Sequence, residues 1–203
     1  VMENDFYRVT VDRATGRVGL FDKSLNRHVA NNMEISGAEE RGGNYVGVEP
    51  VTGRTIYSSI DKVELEENNA VRSTLRVVGR IADTTFTQRL SLWKELKRFD
   101  IENTVHWQTP RTMRIEQVIP YQIQNAQIHY GVPFGTNSAD NLIPGSGPHL
   151  ADEITKESWL NARHIQDWIS ASDANWGLTV STDHQFIRLD GGVFRGEMVR
   201  GTR

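Results

Sequence analysis

"DFYRVTVDRATGRVGLFDK", Asp5–Lys23, decides the fold. Phe6, Arg8 and Thr10 alternate with Tyr7, Val9 and Val11, and the same period of two resumes at Val18 and Leu20. Between the runs lies Asp12-Arg13-Ala14-Thr15-Gly16, a polar turn closed by a glycine that tolerates positive φ. Strand, turn, strand is the reading, and Asp22-Lys23-Ser24-Leu25-Asn26 supplies a second turn directly after it. A hairpin this early is expected to leave no room for a signal peptide or membrane span ahead of it in this chain, which is read either as a natural start or as an excised domain.

The rest of the sequence continues in kind. Val71, Ser73, Leu75, Val77 and Ile81 alternate with Arg72, Thr74, Arg76 and Arg80, and Phe86–Trp93 reads as the next strand. Phe99, Ile101, Val105 and Trp107 form an inward set against Asp100, Glu102, Thr104 and His106. Ile115, Ile119, Tyr121 and Ile123 follow, with Pro120 marking an edge or a bulge. Trp176–Ser181, Gln185–Leu189 and Val193–Val199 complete the series, and no long amphipathic helix interrupts it. The expected fold is all-β, a large antiparallel sandwich with few or no helices. One domain over residues 1–203 is expected. The only candidate linker, Gly135–Glu157, is long for a loop in a compact domain and is expected to be functional or mobile. The chain ends inside a running strand, so an unpaired edge that favours self-association is expected there.

Composition narrows the function. A 203-residue chain is ample for a buried core, and its formal charge of −3 gives no polybasic footprint. Nucleic acid and anionic membrane are therefore not expected as partners, and no run approaches the ~20 apolar residues that span a bilayer. The chain has no cysteine, which removes disulfides, thiolate metal sites and a Cys nucleophile but leaves the compartment open.

A search for catalytic constellations finds little. The six histidines, at 28, 106, 129, 149, 164 and 184, stand singly, with no metal-ligand spacing. There is no nucleophile elbow or phosphate loop; Gly145-Ser146-Gly147 lacks the flanking residues of one. Asp152-Glu153 and Glu39-Glu40 read as solvated charge rather than as a hydrolytic pair. Trp93, Trp107, Trp159, Trp168 and Trp176, with Tyr45, Tyr57, Tyr121 and Tyr130, are of the type that stacks on sugar rings, but large aromatics also build sandwich cores. No catalytic residue and no metal site is expected within this chain.

Five stretches are less generic when taken in order: "ENDFYRVTVDRATGRVGLFDKSLNRHV" (3–29), "AVRSTLRVVGRI" (70–81), "RFDIENTVHW" (98–107), "IHYGVPFG" (128–135) and "QDWISASDANWGLTVSTDHQ" (166–185). Their sequence and spacing resemble the C-terminal domain of the α-mannosidases of glycoside hydrolase family 38, over nearly the whole chain. The resemblance implies a β-supersandwich of the galactose mutarotase-like kind. It also implies a partner: in that family the zinc ligands, the nucleophile and the acid/base carboxylate belong to an N-terminal catalytic barrel. The fragment alone would then be inactive, with zinc expected in that missing catalytic domain and not here. This chain would pack on the barrel and help to complete a glycan-binding site. By the same resemblance, "RGGNYVGVEP" (41–50) places Tyr45 against the sugar, and "MVRGTR" (198–203) offers Arg200 or Arg203. The alternatives from other classes are a stand-alone, lectin-like carbohydrate-binding sandwich and a mutarotase-like enzyme with its own acid/base pair.

Overall fold

The structure, a computed structural model, describes residues 1–40, 50–139, 162–183 and 186–201. Every regular element among them is a strand. In chain order these are β1 (Met2–Glu3), β2 (Tyr7–Val11), β3 (Val18–Asp22), β4 (Arg27–Glu40), β5 (Pro50–Tyr57), β6 (Ser59–Asn68), β7 (Arg72–Ile81), β8 (Thr84–Trp93) and β9 (Phe99–His106). They continue with β10 (Met113–Pro120), β11 (Gln127–Val132), β12 (Gly135–Ser138), β13 (Ala162–His164), β14 (Trp168–Ser172), β15 (Gly177–Ser181), β16 (Phe186–Leu189) and β17 (Val193–Gly201). The all-β, antiparallel expectation holds. The chain forms two compact units, Val1–Gly37 with Thr55–Arg111, and Ala38–Arg54 with Thr112–Arg203.

In the first unit, β1 to β4 pair in sequence order, and β6 to β9 form a second meander. The hairpin of the opening stretch pairs Tyr7 with Asp22 and Val11 with Val18. Its turn is held by Asp12, whose Oδ1 accepts from the amides of Ala14 (2.7 Å) and Thr15 (3.0 Å). These bonds to Thr15 and Ala14 hold the Asp12 carboxyl below its ordinary value. Gly16 has φ +70°, and a Cβ there would sit 2.5 Å from Ile60 Cδ1, so the turn lies directly on β6. In β8 the period of two is complete: Thr84, Phe86, Gln88, Leu90 and Leu92 are buried. On β6 to β8, carboxylates and arginines pair across the strands, as in Arg76–Glu64 (2.9 Å), Arg80–Asp61 (3.1 Å) and Arg89–Glu66 (2.8 Å). Two register shifts, at Ile60/Lys62 and Leu65/Glu67, interrupt the alternation of β6.

One buried side chain joins the two meanders. Asn4 Nδ2 donates to the carbonyls of Trp93 (2.6 Å) and Leu96 (3.2 Å), beyond the end of β8. Its Oδ1 accepts from the amides of Phe6 (2.9 Å) and Tyr7 (2.6 Å). The whole hydrogen-bonding capacity of the amide is thereby used. Asp22 closes the same corner: its Oδ1 accepts from the Ser24 amide (2.8 Å) and the Leu25 amide (3.0 Å), and Lys97 lies 2.8 Å from Oδ2.

In the second unit, β10-β17-β16-β13 and β12-β11-β14-β15 are the two sheets. Ile187 and Phe194 from the first meet Ile128, Tyr130, Ile169 and Ala171 from the second in one apolar core. The last strand was expected to leave an unpaired edge. Over Phe194–Gly196 that edge is closed, because β17 pairs there with both β10 and β16; from Glu197 to Gly201 its strand partner among the described residues is β10. Pro120 ends β10, and the register shift of this pair falls earlier, where Ile115 faces Val199 and Glu116 faces Glu197, so that Met198 of β17 is the extra residue. Of the Gly135–Glu157 segment, residues 135–138 are strand β12 rather than loop, paired with β11 through Val132–His129. The part from Asp140 onward lies outside the described residues.

Two outcomes follow from the Asn4–Asp22 corner. Asn4→Ala removes both donors and both acceptors at once, and urea unfolding should show a loss of about 3 kcal/mol or more with the m-value unchanged. Burial alone would raise the Asp22 carboxyl, but Lys97, the Ser24 hydroxyl and the Leu25 amide together leave it below its ordinary value. A carboxyl depressed on folding contributes stability that is present above about pH 4 and is lost as pH falls through its folded value. Asp22→Asn should therefore flatten the acid limb of a melting-temperature profile, and leave the profile above pH 6 merely displaced downward.

Candidate functional site

The second unit contains an element that β-periodicity does not describe. In β10, all six residues from Met113 to Val118 are buried. A strand covered on both faces is ordinarily a continuous apolar run, yet Arg114, Glu116 and Gln117 are inside. Arg114 Nε donates to Glu116 Oε1 at 2.7 Å, and an Arg188 Nη donates to the same oxygen at 3.2 Å. Arg195 approaches the other oxygen at 3.6 Å and binds Asp190 through Nε at 3.0 Å. One carboxylate thus serves three guanidiniums.

The register explains how they come together. Arg114 lies directly opposite Arg200, Glu116 opposite Glu197, and Arg195 of β17 opposite Arg188 of β16. Directly opposed residues share a face, so four guanidiniums stand on the side of this sheet away from the Phe194–Ile187 core. Each directly opposed pair carries like charges, which is unfavourable taken alone. The arrangement is satisfied diagonally, with Glu116 at the crossing point. Its side chain is 3% exposed, so the full desolvation of an ion must be offset there by charge-assisted bonds.

Of the residues expected from the sequence, Arg200 is placed on β17 in this charged face, partly buried and with a partner of its own. Tyr45 and Arg203 lie outside the described residues. Sequence reasoning missed Arg114, Glu116, Arg188 and Arg195. The only available signal was the Arg-x-Glu spacing in "MRIEQVIP", which fixes two charges on one strand face. Among the tryptophans, Trp93 is not a free platform: its Nε1 donates to Asp100 at 2.7 Å, and Arg72 and Arg98 lie 5.6 and 5.9 Å from its ring centroid. Tyr130 belongs to the apolar core with Trp176 against it, and Trp159 lies outside the described residues. Among the described residues, no three His, Cys, Asp or Glu side chains gather as a metal site would require.

Glu116→Gln keeps the shape but leaves three guanidiniums around a neutral amide. Removing one partner from a buried ionic cluster costs about 3–5 kcal/mol, so urea unfolding should show a loss in that range, and added salt should recover part of it.

No curated protein matches this chain in sequence. Among solved structures, an α-mannosidase from Enterococcus faecalis V583 superposes with a TM-score of 0.79 at 15% identity. The match covers 99% of this chain and 26% of that one, so the chain spans about a quarter of the length of that protein. At this identity the likeness establishes the fold, which is the one the sequence resemblance implied. The profile of the glycosyl hydrolases family 38 C-terminal domain matches residues 2–186. The chain belongs to the family of glycosyl hydrolase family 38 C-terminal domains.

Proposed function

We propose that this chain is the C-terminal region of an α-mannosidase, that it packs on a catalytic barrel supplied by the rest of the polypeptide, and that it completes that barrel's glycan site with Arg200 and Tyr45. The observation that carries the reading is the position of Arg200 next to the Glu116-centred cluster. A planar guanidinium held among buried, bonded neighbours loses little further freedom on binding and offers a rigid fork to sugar hydroxyls. Tyr45 would add a hydroxyl donor and a ring face for the apolar carbons of the sugar. Arg203 remains the second candidate for the arginine role.

In this proposal the chemistry belongs to the barrel. Retaining hydrolysis needs a nucleophilic carboxylate and a general acid about 5–5.5 Å apart, and zinc in this family is expected with them. The described residues of this chain gather no ligand set for a metal. What this chain contributes is orientation of the sugar. That contribution is realised in kcat/KM of the whole enzyme and not as turnover by the fragment.

The test compares the isolated chain with the longer polypeptide for release of an aryl α-mannoside leaving group with zinc added. The fragment should be inert and the longer protein active. In the active protein, Arg200→Ala should lower kcat/KM by about 10–100-fold, and Tyr45→Phe by about 10-fold. Turnover by the fragment alone would assign it to the autonomous class instead, and full activity in Arg200→Ala would remove that arginine from the site.

A further inference from the structure

The outward face of the first unit's hairpin contains a cavity that the reading above does not use. It is an open surface hollow of about 350 Å³, lined by β2, β3, β4 and the Asp12–Thr15 turn. Three features build it. First, β4 bulges there: Val18 pairs with Met33 and Leu20 with Ala30, so Asn31 and Asn32 together face the single residue Gly19. Asn32 takes φ +58°, a left-handed conformation that asparagine adopts more readily than most residues. Bulges of this kind re-aim side chains.

Second, Gly19 lets two side chains pack closely onto the strand. A Cβ at that position would lie 2.8 Å from Thr10 Oγ1, 3.2 Å from Asn31 Oδ1 and 3.7 Å from His28 Cε1. The space a side chain would take at Gly19 is therefore already filled by the Thr10 and Asn31 oxygens, which pack down on the glycine with an imidazole edge beside them and themselves form the surface of the hollow. The His28 ring is itself braced edge-on by Phe21 at 5.3 Å. Third, the polar groups here are not consumed by the fold. Among the described residues, the Thr10 hydroxyl and the Asn31 and Asn32 amides make no side-chain hydrogen bond.

The chemistry of the lining selects the ligand. Hydroxyl and amide groups both donate and accept, which matches the alternating demands of vicinal sugar hydroxyls. A cation is disfavoured because Arg17 lines the cavity and Asp12 is its only carboxylate. An anion is disfavoured because that Asp12 is present and the Arg17 guanidinium is bound to Glu34 at 2.8 Å. The volume lies at the small end of ligand pockets, enough for one ring. We infer that the Gly19 cavity is a binding site for a neutral polyhydroxylated ligand, a single glycosyl unit, held by Thr10, Asn31 and Asn32. It does not rest on the role proposed for Arg200.

The experiment is a site-resolved nitrogen–proton titration of the 203-residue chain with methyl α-D-mannopyranoside and methyl β-D-glucopyranoside, and separately with calcium chloride and inorganic phosphate. At least one glycoside should give saturable shifts, in the millimolar range, at the Gly19 amide and the Asn31 and Asn32 side-chain amides. Asn31→Ala should weaken that binding roughly tenfold, and Thr10→Val, which preserves the strand, should weaken it similarly. The inference is overturned if neither glycoside shifts those signals up to ~100 mM, if calcium or phosphate saturates them instead, or if both variants bind as the parent does. Since the signals are read at Gly19 and Asn31, a negative result here leaves the Arg200 reading untouched, and the reverse is equally true.

Discussion

The first unit depends on a single carboxamide. Asn4 is the point at which the opening strands and the end of β8 are bonded to the same group, with two carbonyls accepting and two amides donating. An alanine would leave four backbone groups to find other partners, and a carboxylate would turn two attractive contacts into repulsive ones. The backbone around it is equally engaged. The Asn4 amide donates to Tyr7 at 3.0 Å, and Lys23 Nζ donates to the Asn4 carbonyl. The "EN" and "DK" pairs that carry the opening part of the family resemblance are, physically, this corner: Glu3 pairs with Lys23 at 2.7 Å, and Asp22 with Lys97. Those residues fix the fold and say nothing about chemistry.

The second unit makes the opposite use of polar groups. Its core is apolar on one face of β17, while the other face carries charge that has been taken out of water. A cluster of this kind is weak evidence for stability, because apolar residues of similar volume would serve at least as well. What it supplies is definition: Glu116 sits at one of the few places where three guanidiniums drawn from three strands can all be bonded. Arg200, next in the same face, takes its setting from that definition.

The sequence was legible wherever alternation ran unbroken. β7, β8 and β9 follow the pattern read from Val71 to Trp107, and β15, β16 and the first half of β17, before the extra residue Met198, follow theirs. It was not legible where bulges break the period. β6 carries six charged or amide side chains in ten residues and slips register twice, so its apolar set never forms a readable series. β4 bulges opposite Gly19 and again before Phe21, which hides a strand of 14 residues. The Glu116 cluster was invisible for another reason: its arginines come from strands more than 70 residues apart, and only the register joins them. Arg200 entered through resemblance and not through pattern, since an arginine near the end of a strand has no periodic signature.

The bulged, charge-laden β6 has a consequence for how the molecule behaves in a crowded solution. It is the outer strand of its sheet, the position from which an unsatisfied row of amides and carbonyls would recruit another chain. Two shifts of register mean that no straight incoming strand can match its hydrogen-bonding rhythm for more than a few residues. Asp61, Lys62, Glu64, Glu66 and Glu67 would have to be dehydrated as it docked. The irregularity that concealed this strand from the sequence reader also conceals it from would-be polymerisation partners.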